Sequence, residues 1–287
     1  MDIIFLNFVV PFLYSKNYFK VVIIISTNEK FVKKYFFFDI DGTLSTGFPE
    51  PYVPESTRRT LEKLEENGHF LAIATGRSHA KAVELLDELG FDNMVSDGGN
   101  GITINRKLLH IEPLNKENCI ALLKEADSRN IPWGISIDNS KTRYTRNDDF
   151  VNVTEDVYME TIVDPDLDIE KIDTYYKLYI ACKPEEDDTL VALKNLPFVR
   201  FHDAYLFVEP DDKSVGIKAV MDYFGAPYKD VVVFGDQKND LKMFRDEWTS
   251  IAMGNAIDEL KEKADFVTKN ADDDGIEYAC KHFGWID

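Results

Sequence analysis

Cysteine is scarce in this chain. Cys119, Cys182 and Cys280 form an odd, widely spaced set with no CxxC pair, so neither a disulfide framework nor a cysteine zinc site is indicated. The five histidines, His69, His79, His110, His202 and His282, never fall into HExxH spacing, which removes the zinc-peptidase pattern. Basic residues are outnumbered, with 33 Lys and Arg against 52 Asp and Glu and a formal charge of −19. A phosphate-backbone partner is recognised by Lys and Arg that release counterions, so the balance argues against nucleic acid. Long hydrophobic runs are missing as well. IIFLNFVVPFL is broken by Asn7 and Pro11, VVIII is short, and both fall well below the ~20 residues that span a bilayer. The start Met1-Asp2 lacks the basic residues of a secretory signal. There is no internal repeat, and no GxGxxG or GxxxxGKS phosphate loop. What remains is the expectation of a cytoplasmic enzyme, monomeric or weakly homo-oligomeric, with no membrane partner. A length of 287 residues at 44% hydrophobic content suffices for one large domain or two ordinary ones.

The first 33 residues read as an extension of unknown role: packed on the surface, poorly ordered, or the product of an upstream start codon. From Tyr35 the pattern becomes regular. In FFFDIDGTLS, residues 36–45, three consecutive phenylalanines predict a strand buried on both faces, because a half-buried strand alternates apolar with polar side chains. If the extended chain continues, Asp39 and Asp41 project to one side. Gly42 then ends the strand, putting the two carboxylates at its carboxyl end, where open α/β sheets bind ligands. TRRTLEKLEENG reads as a helix closed at Gly68, FLAIA (70–74) as the next buried strand, and AKAVELLDELG as a helix ending at Gly90. Strand, helix, strand, helix implies a parallel sheet with right-handed crossovers. VVVFG (231–235) resumes that style, and residues 265–268 add a further strand.

Between them, about 113–205 has an α+β texture. It contains a helix in NKENCIALLKEADSRN, a hairpin about Asn139-Ser140, a strand in YYKLYIA, a helix in EEDDTLVALKNL and a second hairpin from VRFH to AYLFV. The cluster Gly98-Gly99-Asn100-Gly101 is read as a tight turn between strands rather than a phosphate cradle. The expected fold is thus α/β, a Rossmann-like parallel-sheet core formed by 34–112 and 206–287, with an α+β insert at 113–205.

Three strand ends deliver polar residues to one rim: Asp39, Asp41 and Thr43; Thr75, Gly76 and Arg77; Asp236, Asn239 and Asp240. A carboxylate after one strand is commonly a turn former or helix cap, but agreement among three is not expected of turns. Asp39, Asp41, Asp236 and Asp240 would repel one another unless neutralised, and Mg²⁺ suits such oxygens because it takes carboxylates and water and is completed by substrate phosphate.

DIDGTL at 39–44, ATGR at 74–77, Lys213 ahead of a helix and GDQKND at 235–240, with AMGNA at 252–256 and TKNADDDGI at 268–276, together resemble the haloacid dehalogenase superfamily, and within it the Cof-type phosphatases with a type-2B cap. The resemblance runs from about Tyr35 to the C-terminus. It implies that the insert is a cap, that Asp39 is a nucleophile forming an aspartyl-phosphate, and that Asp41 is the general acid and base. It further implies that Asp39, Asp236 and the Asp41 carbonyl hold Mg²⁺ with Asn239 and Asp240 behind them, and that Thr75, Gly76 and Lys213 bind the phosphoryl group of a small phosphorylated metabolite, a sugar phosphate or phosphorylated cofactor. Two positions depart from the pattern. Val215 stands where lysine often precedes the glycine, which leaves Lys218 as a competitor to Lys213, and 96–99 reads SDGG where Asn-Gly is common. Arg77 is either a partner for a rim acid or a surface arginine. Trp133, Arg143, Tyr144 and Tyr205 are candidate contacts for the leaving group, or else core and surface. A phosphomannomutase-type phosphomutase, or a noncatalytic binding protein on the same scaffold, are the alternative functions.

Overall fold

The computed structural model describes the backbone of two strands, Ile3–Val9 and Lys20–Ser26, and residues 32–47, 49–200 and 202–287 in full. The two strands pair antiparallel with each other, Ile3 opposite Ser26 and Val9 opposite Lys20, and neither joins another sheet. The expectations for the remainder of the first 31 residues lie outside the described residues. Among the described residues no helix is long and apolar enough to cross a membrane.

From Tyr35 onward the chain builds an eight-stranded sheet. Its order runs from Phe266–Val267 through Thr249–Ala252, Val231–Gly235, Tyr35–Phe38, Phe70–Ala74, Met94–Ser96 and Gly101–Ile104 to Lys107–Ile111. The first six strands are parallel, and the last two add an antiparallel edge. The three phenylalanines behave as a doubly covered strand requires. Phe36, Phe37 and Phe38 are fully buried; Phe36 and Phe38 pack on one side with Phe91, Phe234 and Trp285, and Phe37 on the other with Phe70, Ile217 and Met221. Helices Glu55–Glu66, His79–Leu89 and Gly275–His282 cover the first face, and Lys213–Phe224 with Asp258–Lys263 the second.

The insert forms its own six-stranded sheet, ordered Glu160–Val163, Thr142–Thr145, Trp133–Ser136, Lys177–Ile180, Leu206–Val208, Phe198–Val199. Leu206–Val208, which a division at 205 would leave to the core, is hydrogen bonded to Lys177–Ile180, so the cap sheet runs on to Val208. The hairpin about Asn139-Ser140 and the one ending at Leu206–Val208 both form. The expected helix in EEDDTLVALKNL does not. Residues Pro184–Thr189 and Ala192–Asn195 are 3₁₀ turns, because Leu190, Leu193 and Leu196, all buried, recur every three residues and so match the 3₁₀ period rather than the α period.

Candidate active site

Parallel register brings the three strand ends level. Phe38 is paired with Phe234 on one side and Ile73 on the other, so Asp39 stands beside Gly235-Asp236 and beside Ala74-Thr75. The chain steps outward in opposite directions from the boundary between Tyr35–Phe38 and Val231–Gly235, which makes that boundary the topological switch point where such sheets open a crevice. The Asp39 amide donates to the Phe234 carbonyl at 3.0 Å, extending the pairing by one residue and fixing the carboxylate at the rim.

Asp39, Asp236 and Asp240 are buried, and their oxygens come within 4.8 Å of one another. Lys213, the first residue of its helix and 1% exposed, donates to Asp39 Oδ1 at 2.5 Å and to Asp240 Oδ1 at 2.6 Å. Lys218, one turn further in, is bound to Glu247 at 2.7 Å, so Lys213 is the lysine that reaches the acids. Asp240 spends its other oxygen, Oδ2, on the backbone amides of Asp236 and Gln237, at 2.9 and 3.1 Å. Asp236 accepts from the Thr43 hydroxyl at 2.9 Å and from the Gln237 side chain at 3.2 Å. Gly42 has φ +88°, and a Cβ there would lie 2.2 Å from Asp236 Oδ2; only glycine lets the two loops approach this closely.

Three buried carboxylates gather around one ammonium, which bonds two of them, and the titration of Asp39 and Asp236 reflects that imbalance. Burial, then the neighbouring Asp240 carboxylate, push Asp39 up to about 8 against the pull of Lys213. Burial raises Asp236 to about 6, against the Thr43 hydrogen bond. Lys213 is raised too: burial alone would lower it, but the carboxylates of Asp240 and Asp39 outweigh burial. Buried oxygens with uncompensated charge fit a hard divalent cation.

Asp41 differs from Asp39 in exposure and in partner. Its side chain is 65% exposed, and Arg77 donates to its Oδ2 at 2.7 Å. Thr75 is buried, and its hydroxyl oxygen accepts from the Arg77 amide at 3.1 Å, which leaves the hydroxyl hydrogen to donate elsewhere. Asp39, Asp41, Thr75, Gly76, Arg77 and Asn239 all line one cavity of about 1070 Å³.

Of the four candidate cap contacts, Tyr205 lines this cavity. Arg143 is fully buried and bound to Asp156 and Thr161. Trp133 donates to Asp127 at 2.7 Å, and it packs in the same cap cluster as Tyr144. Asn255, within the AMGNA stretch, was given no role from sequence; its side chain donates to the Gly42 carbonyl at 2.8 Å and accepts from the Ala271 amide at 2.9 Å, bracing the loop that carries Asp41. Lys177 and Glu209 of the cavity wall carried no sequence signal, since 31 residues of unrelated pattern separate them.

The geometry agrees with known proteins. The haloacid dehalogenase-like hydrolase family matches residues 36–279. "Putative phosphatase YkrA" of Bacillus subtilis (strain 168) is 35% identical over 88% of this chain and 98% of its own length. The 5-amino-6-(5-phospho-D-ribitylamino)uracil phosphatase YitU of the same organism is 25% identical over 85% of this chain and 95% of its own. Among solved structures, the HAD subclass IIB sugar phosphatase BT4131 superposes with a TM-score of 0.71 at 26% identity, covering 88% of this chain and 100% of that one. With a family match across the α/β core and cap, and acids gathered at the switch point, the chain belongs to the haloacid dehalogenase-like hydrolases as a phosphatase of the Cof type.

Proposed function

We propose that the chain is a Mg²⁺-dependent phosphohydrolase of small phosphorylated metabolites that works through an aspartyl-phosphate on Asp39. The observation that carries this reading is the contrast between two carboxyls one residue apart: Asp39 is buried against Lys213, and Asp41 is open to the cavity and held by Arg77. A nucleophile has to be fixed and its charge offset from the phosphate it attacks. A proton donor has to reach the departing group.

In the first step a carboxylate oxygen of Asp39 bonds to phosphorus as the bond from phosphorus to the alcohol oxygen breaks, and that oxygen takes the proton of Asp41. In the second, water attacks phosphorus, Asp41 recovers a proton from it, and the Asp39–phosphorus link breaks to release inorganic phosphate. The Thr75 hydroxyl, the Gly76 amide and the Lys213 ammonium bind the phosphoryl oxygens. Asp39, Asp236 and the Asp41 carbonyl would hold Mg²⁺, which when bound offsets the charge of the acids and of the phosphoryl group. Asp240 serves better behind the ion than on it, because its oxygens already take the Lys213 ammonium and two backbone amides, whereas each oxygen of Asp236 accepts from one neutral side chain, and Asn239 stands beside Asp240 at the cavity. The relatives that act on a sugar phosphate and on a phosphorylated ribitylaminouracil support a small metabolite as substrate.

Asp39→Asn keeps the shape of the side chain but is neither nucleophile nor anionic ligand. Phosphate release from p-nitrophenyl phosphate with Mg²⁺ is expected to fall by at least about 10³-fold, with the circular dichroism spectrum unchanged. Turnover within tenfold of the unmodified protein would remove Asp39 from that role.

A further inference from the structure

On the cap side, the cavity holds an ion pair that phosphoryl chemistry does not use. Lys177 opens the strand Lys177–Ile180, and Glu209 directly follows Leu206–Val208. Leu178 is paired with Val208, so antiparallel register makes Lys177 and Glu209 cross-strand neighbours, and the ammonium meets Glu209 Oε2. Both residues are only 5% exposed, yet both line the cavity that holds Asp39 and Asp41. Among the described residues, Glu209 Oε2 is met by no donor besides that ammonium. The Phe207 ring lies 5.2 Å from the Lys177 nitrogen, with Tyr205 and Tyr158 edge-on to Phe207 at 5.1 and 6.0 Å.

A buried ion pair is seldom a net gain in stability over apolar residues of the same volume. One that opens on a substrate cavity is suited to recognition. We propose that Lys177 and Glu209 select the leaving group, favouring phosphate monoesters of hydroxyl-rich alcohols such as sugars and polyols. The inference rests on the phosphatase reading and narrows it. A hydroxyl engages both members at once, accepting from the ammonium and donating to the carboxylate, while sugar C–H faces pack on the Phe207 and Tyr205 rings. A purely apolar alcohol leaves the pair only each other, with the remaining ammonium hydrogens and carboxylate lone pairs unsatisfied, and buried polar groups left unmatched discriminate between substrates. A second anionic group would meet Glu209, and the guanidinium groups of the lining are already engaged: Arg77 by Asp41, and Arg200 by Asp187.

The test compares kcat/KM for n-hexyl phosphate with that for the fastest of sorbitol 6-phosphate, ribitol 5-phosphate and glucose 6-phosphate, using the full chain with Mg²⁺ and p-nitrophenyl phosphate as reference. The hydroxylated ester is expected to be favoured by at least about 100-fold. In Lys177→Met/Glu209→Gln, which removes both charges at similar volume, that preference is expected to fall below about tenfold. If the double variant does not fold, Glu209→Gln is measured in its place against the same criterion. Turnover of n-hexyl phosphate within about threefold of the hydroxylated esters, or a preference unaltered by the substitutions, would overturn the inference and leave the phosphatase reading intact. Absence of phosphate release from p-nitrophenyl phosphate and every ester would instead overturn the phosphatase reading, and this inference with it.

Discussion

Asp39 and Asp236 are carboxylates placed where, without a cation, the folded chain holds protons more tightly than the unfolded chain does. Their folded values, about 8 and about 6, lie above an unfolded carboxylate value near ~4. A raised value means that the stability gained from protonation is fully present below the unfolded value and is lost as pH climbs through the folded one. In the metal-free protein these two groups therefore lower stability progressively between about pH 4 and about pH 8. A bound divalent cation would favour the ionised forms and work in the opposite direction, so Mg²⁺ affinity is expected to rise with pH over the same window, by up to about tenfold per unit for each proton displaced. Scanning calorimetry across the window, with chelator and with excess Mg²⁺, is expected to give Tm curves that diverge as pH rises. Parallel curves would mean that the acids do not take up the ion.

At the scale of elements, the turn Asp97–Gly99 has more to do than reverse the chain. Gly98 has φ +61°, and a Cβ there would fall 1.8 Å from the Pro210 carbonyl oxygen; one on Gly99 would fall 2.2 Å from that of Asp212. The turn therefore seats the segment 210–212 that leads directly into Lys213. Gly98→Ala is expected to lower kcat by at least about tenfold along with Tm, because the displaced backbone carries the lysine with it. Gly225→Ala is the contrasting variant: Gly225 also has positive φ, at +60°, but closes the helix in open space, so it should cost about 1 kcal/mol and leave kcat alone. An equal kcat effect from both would reduce the turn to a matter of stability. Sequence revealed the turn but not its cargo, since nothing local ties Gly98 to Pro210. The strands FFFDI, FLAIA and VVVFG were legible because burial on both faces writes itself as an unbroken apolar run, and parallel order then carries Asp39, Thr75 and Asp236 to one rim. Lys213 was legible as a charge at a helix entrance. The 184–196 segment was misread because acids and leucines at three-residue spacing resemble a short helix in composition. Lys177 and Glu209 were invisible because a cross-strand pair in a cap sheet is a product of register, and no local pattern announces that register.

Over the whole molecule, the distribution of charge bears on whether the phosphoryl group that Asp39 is proposed to take up passes to water or to a second hydroxyl of the substrate. A mutase has to hold its intermediate in two orientations and keep water from the phospho-enzyme. Both tasks call for cations in the cap that grip the phosphate remote from Asp39, and planar guanidinium groups grip it best. Between Asn115 and His202 the arginines are Arg129, Arg143, Arg146 and Arg200. Arg129 donates to the Thr189 carbonyl and hydroxyl, Arg146 to Asp127 and the Leu167 carbonyl, and Arg200 to Asp187 and the Cys182 carbonyl. Arg143 is buried on Asp156 and against the Phe150 and Tyr179 rings. Each guanidinium thus holds the cap together. Releasing any one to bind phosphate would strand its partner; for Asp156 that would leave a carboxylate that also accepts from the Tyr205 hydroxyl at 2.6 Å. The charge pattern therefore favours water as acceptor. Phosphorus NMR of a hexose phosphate incubated with the protein and Mg²⁺ is expected to show inorganic phosphate accumulating from the first turnover, with no requirement for a bisphosphate activator. Interconversion of hexose phosphate isomers with little free phosphate would reverse the assignment, and would require at least one of these arginines to leave its carboxylate or carbonyl partner during the cycle.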